Sequence, residues 1–280
     1  MLDRLLGRAK VSHDASAVVT GAGSGIGAAF AIELARRGGA LVCSDVDEAA
    51  ARRMAGSIIE RGGKATAIRC DVSKFEEVRA LAEQSQAWFS GPPTLIINNA
   101  GVGAGGAAIG DAPLDDWVWT LGINLWGSIH GCHVFTPILR EAGPSPRGII
   151  NVASAAAFGA APGMAAYNVS KAGVLSLSET LAAELAGTGV SVTVLCPTFV
   201  KTNIVESGRI SEESSQLANR LMRWTGFSPD KVARICLDAH DRGELYCMPQ
   251  LDAKIGWTVK RLAPQAYTRA AGLISRINLP

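Results

Sequence analysis

Short apolar runs alternate with longer amphipathic stretches along most of the chain. The short runs predict buried strands, and the longer stretches place apolar residues at helical spacing. The predicted strands cover residues 15–20, 40–45, 64–71, 94–101, 147–154 and 190–197. The predicted helices cover about 25–37, 47–61, 74–89, 115–141 and 165–186. This alternation predicts an α/β fold, in which helices cover both faces of a doubly wound parallel sheet in a three-layer α/β/α arrangement.

The composition favours one globular domain over residues 1–280. Hydrophobic residues make up 48% of the chain, and the net charge of +2 gives no indication of a nucleic-acid partner. The six cysteines contain no C-x-x-C pair, so we expect reduced thiols in a cytoplasmic protein. We expect no secretory leader, because the N-terminal stretch MLDRLLGRAKVSHD has no long apolar h-region. We expect no transmembrane segment, because the chain has no run of 18 or more apolar residues.

A pair of histidines on a predicted helix could indicate a metal site. His130 and His133 lie three residues apart on a predicted helix, with Cys132 between them. Such a pair can bind a metal ion, but the sequence offers no third or fourth ligand near it. We therefore expect no metal.

A glycine-rich turn, TGAGSGIG over residues 20–27, joins the first predicted strand to the first helix. Glycine allows a tight turn and a close approach of the backbone to a pyrophosphate, and the helix N-terminus offers free N–H groups to the anion. The pattern predicts a dinucleotide site, with a plain strand–helix turn as the alternative. The residues assigned to this turn of the site are Gly21, Ser24, Gly25, Ile26 and Gly27.

Asp45 ends the second predicted strand. A carboxylate at this place can bind both ribose hydroxyls of an adenosine and repels a 2′-phosphate, so it favours NAD, with NADP as the alternative cofactor. A structural role is also open for Asp45, as the cap of the helix that begins near Asp47.

A candidate proton-handling group lies further along the chain. Tyr167 and Lys171, in YNVSK, are four residues apart and so share one face of a helix, and Ser154 stands thirteen residues before the tyrosine. A neighbouring cation lowers the pKa of a phenol, so we expect Lys171 and the positive nicotinamide ring of an oxidised cofactor together to bring the pKa of Tyr167 from about 10 to about 7. Each residue alone is common and also has an ordinary structural role, as a cap, a packing side chain or a solvated charge.

These motifs, together with NNAG (98–101), GINLWG (122–127) and CPTFVKT (196–202), resemble the short-chain dehydrogenase/reductase family in order and spacing. The resemblance covers about residues 15–202 and implies a Rossmann fold and a homodimer or homotetramer. It implies a catalytic set of Asn124, Ser154, Tyr167 and Lys171. It implies further cofactor contacts from Asp71, Val72, Asn98, Ala100, Gly101, Tyr167, Lys171, Pro197, Val200 and Thr202. The chain departs from the family where Thr198 follows Pro197, and in its last quarter.

The motifs predict an oxidoreductase that transfers a hydride between a nicotinamide cofactor and a secondary alcohol or ketone. A redox sensor or scaffold that binds NAD without turnover is the alternative from another class, and a dehydratase or epimerase on the same fold is a third. Turnover of an alcohol with the cofactor would discriminate between them.

The substrate is predicted only from composition. Residues 203–227 are partly apolar and predict a lid over the pocket, which we expect to be roomy and to accept a bulky hydrophobic alcohol or ketone. The residues assigned to this pocket are Ser154, Ala156, Phe199 and Met222.

The C-terminal extension, residues 251–280, carries an apolar helical stripe of Ile255, Val259 and Leu262, continued by Tyr267, Ala271 and Ile274. Five basic residues are spread along it. We expect the stripe to pack on the pocket or on another subunit, with an anionic membrane as the alternative.

Overall fold

The computed structural model describes residues 10–143 and 145–277. Its strands are β1 (Ser16–Thr20), β2 (Ala40–Asp45), β3 (Lys64–Arg69), β4 (Leu95–Asn98), β5 (Ala104–Gly105), β6 (Arg147–Val152), β7 (Val190–Leu195), β8 (Arg209–Ile210) and β9 (Tyr246–Cys247). Its helices are α1 (Gly25–Arg36), α2 (Glu48–Glu60), α3 (Phe75–Phe89), α4 (Leu114–Leu121), α5 (Gly127–Glu141), α6 (Ala156–Gly159), α7 (Ala165–Glu184), α8 (Glu212–Thr225), α9 (Pro229–Asp241), α10 (Leu251–Leu262) and α11 (Pro264–Ile277).

A parallel sheet of seven strands, in the order β3-β2-β1-β4-β6-β7-β9, forms the middle layer. The predicted α/β fold with a doubly wound sheet is confirmed. The chain winds outward in opposite directions from β1 and β4, which lie side by side. A crevice opens at the carboxyl ends of the strands where the winding reverses, and this crevice is the usual ligand site of such sheets.

Two apolar cores, one on each face of the sheet, cover the strands. Phe30 and Leu34 of α1 belong to the core that also contains residues of α2 and α9. Phe135 and Leu139 of α5 belong to the opposite core, with residues of α3 and α7. Because the strands are buried on both sides, their sequences are continuously apolar rather than alternating.

The helix predicted over 115–141 is interrupted. A single turn of π-helix, Gly122–Trp126, separates α4 from α5. The side-chain amide of Asn124 within this turn accepts a hydrogen bond from the Val102 N–H at 2.8 Å and donates one to the Val102 carbonyl at 3.0 Å. Widened turns of this kind often occur at functional sites, and this one holds the segment that follows β4.

The C-terminal extension forms a hairpin of α10 and α11, and its predicted stripe does not pack on the pocket. Ile255 and Leu262 are 55% and 81% exposed, whereas Ala253 and Trp257 face the domain. Tyr267 turns back, and its hydroxyl donates to the Gly159 carbonyl at 3.2 Å. The side chain of Ile274 lies outside the described residues. Among the described residues, no helix is long and apolar enough to cross a membrane.

His240 is a buried histidine beneath the sheet, and no apolar pattern predicts it. It is 1% exposed, and its ring nitrogens face the hydroxyls of Thr193 at 2.9 Å and Ser191 at 3.2 Å. A Cβ at Gly148 would lie 1.9 Å from the ring, so glycine is required there. Burial lowers the pKa of His240 to about 4.

The buried histidine predicts a loss of stability at mildly acidic pH. Unfolding returns the pKa of His240 to about 6.5, so between the two pKa values the unfolded chain binds more protons. The free energy of unfolding should therefore fall by about 3 kcal/mol as the pH falls from 7 to 4, at 1.36 kcal/mol per pKa unit. Urea titrations of His240→Asn should show a smaller fall in the free energy of unfolding between pH 7 and pH 4. His133→Asn, which changes an exposed histidine, should keep the wild-type dependence; equal slopes in all three proteins would contradict the assignment.

Candidate active site

A cleft of about 850 Å³ opens at the carboxyl ends of the sheet strands. It is lined by Gly21, Ser24, Gly25, Ile26, Asp45, Asp71, Val72, Ala100, Gly101, Ser154, Tyr167, Lys171, Pro197, Val200 and Thr202, all of which the sequence assigns to the site. These residues lie up to about 180 positions apart, and the parallel sheet brings them together because most of them lie at or just after the carboxyl end of a strand. Tyr167 and Lys171 reach the cleft from helix α7.

The glycine turn forms one end of the cleft. Gly21 has a φ of +65°, and a Cβ at Gly27 would lie 2.1 Å from the Gly21 carbonyl oxygen, so neither position accepts a side chain without movement. Gly27 does not line the cleft; it lets α1 begin close beneath the turn. Ser24 precedes α1 without a side-chain cap, so the first-turn N–H groups are available to an anion.

Asn99, which the sequence analysis missed, joins the glycine turn to the end of β4. Its amide nitrogen donates to the carbonyl oxygens of Thr20 at 2.8 Å and Gly21 at 3.2 Å. The Thr20 hydroxyl in turn accepts from the N–H groups of Asn99 and Ala100. The NNAG motif indicates that an asparagine lies at this place, but the strand register decides which of the two asparagines faces the cleft.

Asn98 was expected beside the adenosine, and the structure does not place it in the cleft. Its side chain is buried on the other side of the strand, where the amide donates to Asn151 Oδ1 at 2.8 Å. Asn151 continues this contact to the Ser178 hydroxyl at 3.0 Å. A Cβ at Gly131 would lie 2.1 Å from Asn98 Oδ1, so α5 packs directly on this polar pair.

Asp45 lies at the cleft and is fixed by backbone groups. Its Oδ2 accepts from the Gly23 N–H at 2.9 Å and its Oδ1 from the Asp47 N–H at 3.0 Å. The capping alternative does not hold, because Asp47 itself caps α2 by accepting from the Ala50 N–H. A carboxylate is therefore presented at the glycine turn, where the ribose of an adenosine would lie.

Lys171 and Tyr167 lie on one face of α7, as their spacing predicts. Lys171 is 3% exposed, and its ammonium donates to the Val152 carbonyl at 2.9 Å. The same nitrogen lies 5.8 Å from the centre of the Tyr167 ring. Ser154 follows β6, and its hydroxyl accepts from the Ala156 N–H at 3.1 Å. A phenol, a hydroxyl and a buried cation thus meet at one wall of the cleft.

The expected lowering of the tyrosine pKa is not found in the chain alone. Burial raises the pKa of Tyr167 above its ordinary value, with the neighbouring Ser154 hydroxyl acting in the opposite direction. Burial also lowers the pKa of Lys171 to about 8. Both groups are shifted toward their neutral forms because each lies in a poorly solvated place.

Asn124 approaches the catalytic wall from the π-turn but does not line the cleft. A Cβ at Gly101 would lie 3.1 Å from Asn124 Oδ1 and 3.3 Å from the Lys171 nitrogen, so both groups lie against this glycine. The Asn124 amide nitrogen also donates to the Ser170 hydroxyl at 3.1 Å. Its side-chain contacts with Val102 and Ser170 hold the strand end beside α7.

The segment after β7 forms the opposite wall, and Gln250 holds it. Gln250 is 4% exposed; its Oε1 accepts from the Thr198 N–H at 3.3 Å, and its Nε2 donates to the Phe199 carbonyl at 3.0 Å. These contacts fix the backbone at the position where the chain departs from the family. Phe199, expected in the pocket, does not line the cleft: its carbonyl points to Gln250 and to the Phe227 N–H.

The residues assigned to the substrate pocket are not all brought together in the cleft. Apolar residues of the cleft do lie near the catalytic wall, among them Val118, Trp119, Ile123 and Ile204. Ala156 lies outside the cleft, because it begins α6. Met222 is buried, and it lines a second depression beneath α8 that also receives Lys201, Glu206, Glu213, Arg220 and Arg223. The outer part of the substrate side is therefore charged.

The histidine pair serves aromatic packing in the structure. The rings of His130 and His133 lie 5.6 Å and 5.7 Å from the ring of Phe75. His130 Nδ1 also lies 2.9 Å from the Val72 carbonyl oxygen. Within residues 10–143 and 145–277, no group of three or more potential metal ligands is found.

The donor set fits a nicotinamide dinucleotide. The uncapped N-terminus of α1 suits a pyrophosphate, the Asp45 carboxylate suits a ribose diol, and Lys171 adds a cation beside the catalytic hydroxyls. All three features line or adjoin the same cleft.

Comparison with known proteins agrees with this geometry. The chain is 36% identical over 265 residues to a probable oxidoreductase, EphD, of Mycobacterium tuberculosis; the match covers 91% of this chain and 44% of that relative. It is 39% identical over 241 residues to 1-deoxy-11-beta-hydroxypentalenate dehydrogenase of Streptomyces exfoliatus, which covers 86% of this chain and 84% of that protein. This chain thus spans less than half the length of the mycobacterial relative.

A solved short chain dehydrogenase/reductase from Burkholderia phymatum, in complex with NAD, has the same fold. It superposes with a TM-score of 0.84 at 33% identity, over 89% of this chain and 94% of that one. The family model for short chain dehydrogenases matches residues 15–213. The resemblance predicted from the motifs is confirmed, and the chain belongs to the short chain dehydrogenase family.

Proposed function

We propose that this protein is an NAD-dependent oxidoreductase that interconverts a bulky hydrophobic secondary alcohol and its ketone. The observation that carries the proposal is the meeting of Ser154, Tyr167 and the buried ammonium of Lys171 on one wall of a dinucleotide-sized cleft. A protein that only binds the cofactor needs no such group, and the ammonium is buried at a cost in free energy.

The three side chains divide the proton chemistry between them. When bound, a nicotinamide cofactor supplies the hydride acceptor or donor and a positive charge in its oxidised form. Tyr167 takes the hydroxyl proton of the alcohol, or returns it to the carbonyl oxygen in the reverse direction. Ser154 donates a hydrogen bond to the same oxygen and stabilises its negative charge. Lys171 stabilises the phenolate and binds the ribose hydroxyls.

Asn124 is a positioning residue in this proposal. It ties the end of β4 to α7 through Val102 and Ser170, so it keeps Gly101 against the Lys171 nitrogen. The family resemblance implies that Asn124 also holds a water that links Lys171 to solvent.

NAD is the proposed cofactor because Asp45 presents its carboxylate where a 2′-phosphate would lie. The two backbone N–H groups that hold Asp45 keep its charge in this place. The B. phymatum protein, with NAD bound, supports the same choice.

The proposed substrate is hydrophobic because apolar side chains line the inner cleft, including Trp119 and Ile204. The S. exfoliatus relative, named for a hydroxypentalenate, gives support of the same kind. The charged depression beneath α8 offers room for a polar end of such a molecule. A homodimer or homotetramer in the cytoplasm is the proposed state; all six thiols are free and buried, as a reducing compartment allows.

Replacement of the phenol tests the catalytic assignment. Tyr167→Phe should lower kcat/KM by about 10²- to 10⁴-fold, because only the ionisable hydroxyl is lost. The Kd for NAD, measured by calorimetry, should stay within about two-fold of wild type (an effect under about 0.5 kcal/mol). Tyr267→Phe removes a hydroxyl from the C-terminal hairpin and serves as the matched control. Activity of Tyr167→Phe within about ten-fold of wild type would reject the role.

The substrate class is tested by a panel of alcohols with both cofactors, followed by absorbance of the reduced nicotinamide. Cyclic and aromatic secondary alcohols should have a higher kcat/KM than linear polyols, because the inner cleft contributes apolar contacts. Trp119→Ser should reduce the difference in kcat/KM between the two groups of alcohols. A wild-type preference for polyols would contradict the proposed hydrophobic substrate class.

The cofactor preference is tested at Asp45. Asp45→Asn removes the charge and keeps one acceptor oxygen, so it retains one of the two backbone N–H contacts. The ratio of kcat/KM for NAD to that for NADP should fall at least about ten-fold, which corresponds to about 1.4 kcal/mol. Asp47→Asn changes the neighbouring carboxylate and should leave the ratio nearly unchanged. Preference of the wild type for NADP would contradict the assignment.

A further inference from the structure

Helix α10 has an outward face made of aliphatic residues. Leu251, Ile255, Val259 and Leu262 lie on one side of the helix, and they are 71%, 55%, 44% and 81% exposed. Isolated exposed leucines are common on protein surfaces, but a continuous stripe along three turns is an unpartnered apolar face. We call these four residues the α10 stripe.

The orientation of α10 is fixed by its inner face. Ala253 is 2% exposed and belongs to the core beneath α7. Trp257 packs on Phe158 and Tyr246, with ring centres 5.0 Å and 5.5 Å apart. The stripe lies on the opposite side of the helix, so it points outward because the inner face is already occupied.

Positive charge borders the stripe on one side. Lys254 and Arg261 flank it there, whereas Asp252, the one acid of these two helices among the described residues, lies on the other flank and Lys260 lies on the inner side near Ala253. Arg269 follows on α11. Lys254, Lys260 and Arg269 form no ion pair with a described residue. The Arg261 guanidinium lies over the Trp257 ring at 4.2 Å. An apolar stripe with a basic border suits an anionic amphiphilic surface.

A second copy of the chain is a poorer occupant. In a two-fold contact the same surface of each copy faces the other copy. Two α10 helices would then pack antiparallel, and Lys254 of one copy would lie near Arg261 of the other. Asp252 would be the single acid on each side to offset these cations. Like charges at an interface are unfavourable, whereas anionic lipid headgroups attract them.

We propose that the α10 stripe docks the protein on an anionic phospholipid surface, with its four aliphatic side chains in the acyl boundary and its basic border at the headgroups. The helix would lie in the plane of the surface, as amphipathic helices of this kind do. Gln250, directly before α10, holds the cleft wall at Thr198 and Phe199, so the docked face adjoins the candidate active site. The docking itself does not depend on the proposed reaction.

Vesicle flotation tests the proposal with the full chain. Wild type should float with vesicles of phosphatidylglycerol and phosphatidylcholine, bind pure phosphatidylcholine weakly, and lose binding as salt is raised. Leu251→Ser/Leu262→Ser should lower the partition coefficient about hundred-fold or more, given the apolar area lost. Lys254→Gln should lower it about five-fold, at about 1 kcal/mol per cation.

The control removes exposed apolar residues elsewhere. Ile109 and Leu114 are 72% and 79% exposed and lie far from α10 in sequence, so Ile109→Ser/Leu114→Ser should float like wild type. Unchanged melting temperatures will show that the variants fold, since none of the substituted residues is buried. Absence of wild-type flotation, or equal flotation of the Leu251/Leu262 and control variants, overturns the proposal. A fall in sedimentation mass for Leu251→Ser/Leu262→Ser assigns the face to a second copy and also overturns it.

Discussion

A buried ammonium group beneath a phenol loses the hydrogen bonds and the charge stabilisation that water gives an exposed lysine. The surrounding chain must replace both. Lys171 has one hydrogen bond to the Val152 carbonyl, and burial brings its pKa to about 8. The difference from an exposed lysine corresponds to about 3 kcal/mol at neutral pH, which the rest of the fold must offset. The cleft walls, the π-turn and the C-terminal hairpin can all be understood as supports for this one cation and its neighbours.

The supports reach the site from distant parts of the chain. Asn124 fixes the end of β4 beside α7, and Gln250 fixes the wall that follows β7. Trp257 packs on Phe158 of α6, the short helix that follows Ser154. The extension that the family motifs do not cover therefore packs on the segments that follow Ser154 and β7. A substitution in it can alter catalysis without touching a reacting atom.

Local pattern was sufficient for the elements and for most of the site. The strand ends place Asp45, Ser154 and the glycine turn at one edge, and the four-residue spacing places Tyr167 beside Lys171, as predicted. The pattern could not decide between Asn98 and Asn99, because a shift of one residue in a strand reverses the face, and the face is set by strand pairing and by the contacts of Asn98 with Asn151 and Gly131.

Other features depend on contacts between distant residues, which periodicity does not report. The break at Asn124 follows from hydrogen bonds to Val102, and the role of Gln250 follows from a contact across about 50 residues. Burial raises the pKa of Tyr167 in the chain alone. The spacing of residues could not predict this, because it gives the neighbour of a group but not its solvation. Two nearby groups can each lose charge when both are buried.

The central claim is that the chain alone keeps Tyr167 neutral and that a bound oxidised cofactor completes the activation of its phenol. The chain has three tyrosines, so Tyr246→Phe/Tyr267→Phe leaves Tyr167 as the single phenol. Its ionisation can be followed by ultraviolet difference absorbance against pH, with and without saturating NAD⁺. The account predicts a pKa above the ordinary value of about 10 in the free protein and a pKa near neutrality with NAD⁺ bound. A near-neutral pKa in the free protein, or an unchanged pKa on binding, would contradict it.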